Sequence, residues 1–391
     1  MPKTNLPKGT KILSRREFIK LGGVSLAALS LSPLLKACSP VSTATSPVST
    51  ATPEVKVGGK VDFLSWEGYD LPTCMETWNK ANQVTFSSTY IGDHNEIQAK
   101  LSAGSSVGYD LVTYYQGYSE MYVNELKLLQ PIDTSKVPNF ANMYERFRTG
   151  DVWLKNGKTW GLPFTWGAEG LNYNSDKIDP PQSWFDLLKP KFKGVVGMVD
   201  VMLDEIVNAA CAIGLNDKIP NLTAQELDEV KTFLLKMKAQ ARAIAPSYGD
   251  LTDMLVSGEV VATFPGWAAM NVWAKARQVN VKITIPAEGS YSFCDAFAIP
   301  TQADNVETVL AWANEVLSPE VQACQALNLA AAVVNPLAVP LLDEGTAAMY
   351  PYDNLDEFFK KVPFYTMPPT KSDQYTTYDQ WIAMWDEVKA A

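Results

Sequence analysis

Aromatic, acidic and amide side chains follow two apolar runs that are typical of β-strands. Trp66, Glu67 and Tyr69 come directly after "KVDFLS", and Tyr115 and Gln116 end the run "YDLVTYYQ". In α/β folds, ligands bind at the loops that follow the carboxyl ends of the strands. We therefore predict that these side chains form part of a ligand-binding site.

The elements that would position these residues alternate along the chain. Strand-like runs at "KVDFLSW", "VTFSSTYI" and "YDLVTYY" are separated by helix-like stretches after Pro72 and from about residue 95 to residue 103. This alternation predicts an α/β fold with a largely parallel sheet. Gly68 would let the chain bend between Trp66 and Tyr69.

The sequence lacks the usual combinations of catalytic or metal-binding residues. His94 is the only histidine and has no cysteine nearby, so a zinc site or a Ser-His-Asp triad lacks its parts. We expect His94 to be an exposed loop residue, and we expect neither a metal nor a cofactor. Four widely spaced cysteines outside the N-terminal segment form no Cys-x-x-Cys motif, and the sequence leaves open whether they are thiols or disulfide-bonded: Cys74, Cys211, Cys294 and Cys324.

The net charge argues against one class of partner. The chain has a formal net charge of −10, and residues 1–37 hold seven basic residues and one acidic residue, so the rest carries −16. Nucleic-acid phosphates repel so acidic a protein. The excess of acid is compatible with a cationic ligand.

The N-terminal segment resembles an export signal. "SRREFIK" at 14–20, with the pair Arg15 and Arg16, is similar to the twin-arginine motif, and an apolar stretch follows at 21–35. "LLKACS" then resembles a lipobox, although Lys36 departs from the usual small or apolar residue. We predict a signal peptide at 1–37 and lipidation of Cys38, with ordinary cleavage nearby as the alternative.

A linker is expected after the signal. Residues 38–56 are rich in Ser, Thr and Pro and contain a near-repeat of "SPVSTAT". Such a segment cannot bury enough apolar surface to fold, so it would serve as a flexible tether. The export signal and tether together predict a protein at the periplasmic or extracytoplasmic face of the cytoplasmic membrane.

Four motifs in the body resemble one family. They are "LPFTWGAEGLNYN" at 162–174, "PQSWFDLLKPKFKG" at 181–194, "SGEVVATFPGWAA" at 257–269 and "YSFCDAFAIP" at 291–300. Their types and order resemble the bacterial extracellular solute-binding proteins, and within these the spermidine/putrescine-binding proteins of ABC importers. The resemblance runs from about Val57 nearly to the end of the chain.

The resemblance implies a fold and a role. It implies a periplasmic-binding-protein type II fold, an α/β fold of two lobes with a ligand cleft at the hinge. Lobe 1 would comprise 57–166 and 296–338, and lobe 2 would comprise 167–295 and 339–391. The protein would be a monomer and not an enzyme. It would capture a putrescine- or spermidine-type polyamine and deliver it to an ABC permease.

Several site residues carry over from the family pattern. Trp66 and Tyr69 match a Trp-Thr-Glu-Tyr turn, in which Glu67 and Gly68 replace the middle pair. Asp295 falls on an aspartate that holds an amine, and Phe293 replaces a tryptophan wall. In such a site a carboxylate or ring face replaces the water around each ammonium, and aromatic walls hold the methylenes.

Other positions depart from the pattern. Of an acidic pair three residues apart, Asp204 matches one member, but Val201 stands where the other is expected; Asp200 or Glu205 would substitute after a one-residue shift. Gly266 takes the place of a tryptophan that neighbouring Trp267 would supply. Three further positions differ from the family. Tyr115 stands where the family has a serine, and Gly117 and Ala331 each stand where it has a tyrosine.

The alternatives keep different parts of this interpretation. The same fold and role could serve a monoamine, an amino-acid-like zwitterion or another small solute. An exported enzyme or a tethered sensor would be a different class of protein. Glu169 is another candidate ligand group; it lies in the motif at 162–174, which would form a strand that crosses between the lobes. Other tryptophans are expected to pack in the core: Trp78, Trp153, Trp160, Trp184, Trp312, Trp381 and Trp385.

Overall fold

The computed structural model describes residues 57–92, 94–103 and 108–391. The predicted signal peptide (1–37), lipidation site (Cys38) and linker (38–56) lie outside the described residues. No helix in the described part of the chain has both the length and the apolar character needed to cross a membrane.

The strands of the described residues form one large mixed sheet and one hairpin. Twelve strands belong to the sheet, and β5 and β6 pair as the hairpin. In chain order the strands are β1 (Gly59–Ser65), β2 (Val84–Tyr90), β3 (Leu111–Tyr115), β4 (Leu129–Gln130), β5 (Leu154–Lys155), β6 (Lys158–Thr159), β7 (Leu162–Asn174), β8 (Val196–Val199), β9 (Ala243–Ala245), β10 (Ala262–Phe264), β11 (Gly266–Trp267), β12 (Val281–Thr284), β13 (Ser292–Pro300) and β14 (Ala332–Val333).

Helices lie between these strands. They are α1 (Glu76–Ala81), α2 (His94–Ser102), α3 (Glu145–Thr149), α4 (Met202–Ala212), α5 (Ala224–Gln240), α6 (Tyr248–Ser257), α7 (Ala269–Lys275), α8 (Val306–Val316), α9 (Pro319–Leu329), α10 (Glu344–Ala347), α11 (Leu355–Lys361) and α12 (Tyr378–Ala390). The predicted order of strands and helices over residues 60–115 is therefore confirmed.

The sheet has two parallel regions joined by antiparallel strands. The main order is β2-β1-β3-β13-β7-β10-β8-β9. Strand β1 is parallel to β2 and β3, and β8 is parallel to β9 and β10. The central strands β7 and β13 run antiparallel to each other and to their other neighbours in this order. The predicted α/β class is confirmed, and the sheet is mixed at its centre.

Strand β7 connects the two regions. All thirteen of its residues are buried. Its residues 162–168 pair with β13, whereas residues 171–174 pair with β12. A strand covered on both faces has no polar side, which explains its apolar and small residues. The pairing changes close to residue 167, and the predicted lobe boundaries stay a prediction.

Local sequence signals set several helix starts. The side chain of Thr223 accepts a hydrogen bond from the backbone N–H of Glu226, and the Glu226 carboxylate accepts one from the backbone N–H of Thr223. Ser318 caps α9 in front of Pro319. Helix α12 packs on α4 and α5, while α8 packs on β1. Helix α6 packs on β8 and β9, so helices cover both parallel regions of the sheet.

The tryptophans predicted for the core lie there. Trp184 is fully buried, and its indole N–H donates to the carbonyl of Gly289 at 3.0 Å. The other buried members are Trp153, Trp312, Trp381 and Trp385, while Trp78 and Trp160 are half-buried against the core.

The structure resolves the question of the cysteines. Cys74 and Cys324 form a disulfide, and Cys211 and Cys294 are buried thiols. The disulfide ties the segment after the first turn to α9, which is 250 residues away in sequence. This link restrains the base of the turn that carries Trp66 and Tyr69.

Candidate functional site

A tight turn presents the first aromatic residues. Gly68 has a φ of 88°, a left-handed conformation that costs glycine little. Two side-chain hydroxyls of β2, Ser88 at 2.7 Å and Tyr90 at 2.8 Å, donate to Oδ2 of buried Asp70. The predicted bend at Gly68 is confirmed, and Asp70 fixes the turn to the neighbouring strand.

Asp295 lies beside this turn. The hydroxyl of Tyr69 donates to Oδ2 of Asp295 at 2.7 Å. Asp295 is buried at an irregularity in the pairing of β13 with β7, between residues 295 and 296, and such irregularities redirect side chains. Burial raises the pKa of the Asp295 carboxyl to about 6, against the opposing effect of the Tyr69 hydrogen bond.

Asp204 occupies a second acidic position in the first turn of α4. Helix α4 has no side-chain cap, so a carboxylate in its first turn interacts favourably with the free backbone N–H groups. The hydroxyl of Tyr248 donates to Asp204 Oδ2 at 2.5 Å, and that of Tyr291 donates to Oδ1. Burial raises the pKa of Asp204 to about 6.

Glu169 shares the hydroxyl of Tyr248 with Asp204. This hydroxyl lies 3.0 Å from Oε2 of Glu169. One hydroxyl has one proton, so it can donate to one carboxylate while the other, when protonated, donates to it. Burial and the nearby Asp204 raise the pKa of Glu169 well above its usual range. Asp204 and Glu169 therefore form a tyrosine-bridged pair that favours retention of a proton.

Tyr115 lies between the acidic positions. Burial raises the pKa of its phenol well above the usual range, and the charges of Asp204, Asp295 and Glu169 raise it further. The phenol donates to the carbonyl of Tyr365 at 3.3 Å. A Cβ on Gly117 would lie 2.4 Å from the Tyr115 ring, so glycine at 117 leaves space for that ring.

Trp267 and Phe293 form an aromatic wall. Their ring centroids are 5.3 Å apart in an edge-to-face arrangement, and Trp267 also contacts Tyr248 at 6.4 Å. A Cβ on Gly266 would lie 2.1 Å from Oδ1 of Asn172, so a tryptophan at position 266 would require the side chain of Asn172 to shift. Of the neighbouring positions 266 and 267, Trp267 is therefore the one whose side chain contributes to this wall.

The prediction for His94 is wrong. His94 is the first residue of α2 and is half-buried, with its ring centroid 5.1 Å from that of Trp66, 5.3 Å from Tyr118 and 5.9 Å from Tyr115. Burial lowers its pKa to about 4 and keeps the imidazole neutral near pH 7. A run of loop-forming residues around the histidine hid its aromatic environment from sequence analysis.

Other acidic candidates occupy different surroundings. Asp200 accepts a hydrogen bond from the indole N–H of Trp385 and forms an ion pair with Lys389, so it faces α12. Glu205 is fully buried, and its Oε1 accepts from the backbone N–H of Val199 at 2.8 Å. Glu67 is exposed at the tip of the first turn. Within the part of the chain that the structure describes, none of the three shares a hydrogen-bond partner with Asp204 or Asp295.

The site is acidic and aromatic. Asp204, Glu169 and Asp295 form no ion pair with any Lys, Arg or His within residues 57–92, 94–103 and 108–391. In the same ranges no cluster of three or more His, Cys, Asp or Glu has a geometry suited to a metal ion. The groups brought together can neutralise an organic cation and cover its carbon chain.

Comparison with known proteins identifies a family and several similar proteins. The family described as bacterial extracellular solute-binding protein matches residues 73–348. The chain is 27% identical to the putrescine-binding periplasmic protein SpuD of Pseudomonas aeruginosa over 83% of this chain and 90% of SpuD. It is 26% identical to the putrescine-binding periplasmic protein PotF of Escherichia coli, over 71% and 78% of the two chains.

A solved structure shows the same fold. The spermidine/putrescine ABC transporter substrate-binding protein PotD of Streptococcus pneumoniae superimposes with a TM-score of 0.69 at 21% identity, covering 84% of this chain and 97% of PotD. The predicted periplasmic-binding-protein fold is therefore confirmed. With its family match spanning most of the described residues, the chain belongs to the bacterial extracellular solute-binding proteins, which bind solutes and are not enzymes.

Proposed function

We propose that this protein captures a di- or polyamine between two lobes and delivers it to an ABC permease. The observation that carries the proposal is the placement of three buried carboxylates among aromatic rings without a basic partner. Buried charges are costly unless they are paired. A cationic ligand would supply the pairing that the described residues do not.

The two acidic positions suggest how each end of the ligand is held. Asp295 would bind one ammonium, with Tyr69 orienting its carboxylate. The Asp204–Glu169 pair would bind the other ammonium. Glu169 would then supply the second acid, which the family pattern expects at position 201 but which Val201 does not provide. Binding an ammonium there would displace the proton that the pair shares through Tyr248.

The aromatic residues would hold the carbon chain. Trp66, Tyr69 and Tyr115 come from the β1–β3 region, whereas Trp267 lies beside the β8–β10 region and Phe293 lies on a crossing strand. Each methylene removed from water contributes about 0.8 kcal/mol, and a ring face near a cation adds roughly 0.5 to 2 kcal/mol. Glu67, at the exposed tip, would attract cations to the entrance.

Transport would use the two regions of the fold. A ligand that contacts both favours the closed arrangement by its differential affinity for that state. The closed form would then be recognised by the permease. The twin-arginine signal and a lipid on Cys38 would place the binder at the extracytoplasmic face of the membrane. Mass spectrometry of the protein purified from membranes would detect the lipid on Cys38.

Calorimetric titration of residues 39–391, stripped of ligand, tests the proposal. Putrescine and spermidine should bind with micromolar or tighter affinity, and neutral amino acids should not. Titration with butylamine tests the main alternative, a monoamine ligand, because a monoamine needs only one acidic position whereas a diamine needs two. Binding of another solute, with no heat from either amine, would keep the family and contradict the ligand.

A zwitterion is disfavoured by the same geometry. Its carboxylate requires a basic or N–H-rich partner, and in the described ranges no Lys or Arg forms an ion pair with an acid of the cluster. An amino-acid carboxylate would also lie among three acidic side chains. The titration with neutral amino acids therefore tests directly whether the three acidic side chains exclude a ligand that carries a carboxylate.

A further inference from the structure

A cavity lies behind the strand that carries Asp295. Its volume is about 320 Å³, and its lining includes Gln116, Arg146, Trp153, Cys294 and Phe364. Side chains alternate across a strand, so Cys294 points away from the face that carries Phe293 and Asp295. We call this space, lined by Arg146 and Cys294, the back cavity. Its size falls within the usual range of small-molecule sites.

Arg146 gives the back cavity a charge opposite to that of the acidic site. Its guanidinium carbon lies 4.1 Å from the ring centroid of Phe359 and 6.0 Å from that of Phe364. Nη1 is buried and makes no hydrogen bond to any described residue, and Arg146 forms no ion pair within the described ranges. Burial lowers the pKa of this guanidinium, while exposed Asp356 opposes the shift.

The other polar groups of the lining already have backbone partners. Gln116 donates to the carbonyls of Ser292 and Tyr365 and accepts from the N–H of Cys294 at 2.6 Å. Thr149 donates to the carbonyl of Glu145 at 3.0 Å. Among the described residues Arg146 has no hydrogen-bond or ion-pair partner, so a ligand that brings a negatively charged acceptor would complement its guanidinium.

We propose that the back cavity binds a small aromatic carboxylate. The carboxylate oxygens would accept hydrogen bonds from Arg146, whose planar donors match that geometry. The ring would pack against the side chains of Phe147, Trp153 and Phe364, which line the same cavity. An ammonium would be repelled here, so this site is distinct in ligand chemistry from the acidic site on the opposite face of β13.

Calorimetry with benzoate and phenylacetate tests the proposal on the purified protein. Both should bind at micromolar to millimolar concentration, and benzyl alcohol should bind at least about tenfold more weakly because it brings no charged acceptor. Arg146→Met should weaken carboxylate binding by about tenfold or more while keeping an apolar side chain. Arg146→Lys keeps the charge but loses the planar guanidinium. Its carboxylate affinity should therefore lie between those of the wild type and Arg146→Met.

The matched control is Arg242→Met. Arg242 is an exposed arginine that pairs with Glu259, so its loss changes the net charge equally without touching the cavity. It should leave benzoate binding unchanged. Unfolding curves by circular dichroism establish whether each variant is folded. If an Arg146 variant is not folded, Arg146→Gln is tested in its place. Equal benzoate affinity in Arg146→Met and wild type, equal binding of benzyl alcohol, or no carboxylate binding at millimolar concentration would overturn the proposal.

Discussion

The two acidic positions of the candidate site differ in how each carboxylate is supported. Asp295 has one tyrosine partner, Tyr69, and among the described residues no second acid shares that hydroxyl. Asp204 has two tyrosine partners and shares one of them with Glu169. A lone carboxylate can bring at most one negative charge to a ligand, whereas a pair can exchange a shared proton for a cation. Binding at the first position therefore depends on one carboxylate, that of Asp295, whereas binding at the second is shared by Asp204 and Glu169.

The elements that carry the two positions differ as well. Asp295 lies on β13, which pairs with both β3 and β7. Glu169 and Asp204 lie on β7 and α4, and Tyr248 on α6 connects them. The lone acid is therefore built into the central strands, while the pair joins a central strand to two helices. A change at Asp295 should have the larger consequence.

Asp295→Asn is expected to cause the largest loss. Removing one member of a buried charge pair costs about 2 to 5 kcal/mol, so putrescine affinity should fall roughly 30-fold or more. The amide keeps the shape of the side chain and can still accept from Tyr69. Calorimetry on the variant measures the loss.

Asp200→Asn is the matched control for this variant. It removes one negative charge four residues before Asp204, where the side chain faces Trp385 and Lys389. Its amine affinity should equal that of the wild type. Unchanged amine binding in Asp295→Asn, with the amine site otherwise confirmed, would show that Asp295 does not hold the ammonium.

Glu169→Gln should have a smaller effect, about tenfold on putrescine affinity. Asp204 remains to bind the ammonium, and the loss corresponds to one charge-assisted hydrogen bond of about 1.4 kcal/mol. Titration of Glu169→Gln and Asp204→Asn, singly and together, measures the coupling within the pair. Wild-type affinity in Glu169→Gln would contradict the inference that Glu169 replaces the acid missing at Val201.

Much of the fold could be predicted because its signals are local. The alternation of strands and helices over residues 60–115 and the short motif around Trp184 each reflect periodicity or turn chemistry within a few residues. The mixed pairing at the sheet centre could not be read in this way. It depends on β7 and β13 meeting across more than 100 residues of sequence.

The candidate site was predictable only in part for the same reason. Trp66, Tyr69 and Asp295 match short motifs, and the structure brings Tyr69 and Asp295 into contact. The bridge from Glu169 through Tyr248 to Asp204 joins three distant segments, so no local pattern contains it. His94 was misjudged because burial by rings from other elements leaves no mark on its own neighbours in sequence.

Acidic pH should weaken amine binding modestly. Burial raises the pKa of Asp204 and Asp295 to about 6, so each is partly protonated at pH 6 and largely ionised at pH 7. A cation binds the ionised form, and binding therefore releases protons as affinity rises with pH. Ionisation of these two aspartates alone makes binding about threefold weaker at pH 6 than at pH 7. Calorimetry in two buffers of different ionisation enthalpy counts the protons released, and zero release would contradict this linkage.

His94→Gln should have the smallest effect and identify the titrating groups. Burial lowers the pKa of His94 to about 4, so the imidazole stays neutral between pH 5 and pH 7 and cannot cause the change in affinity. The substitution removes a ring contact with Trp66, which should alter affinity by about twofold. The ratio of affinities at pH 7 and pH 6 should remain that of the wild type. Loss of the pH dependence in His94→Gln would assign the titration to the histidine, and the two acidic positions would then differ in geometry but not in protonation.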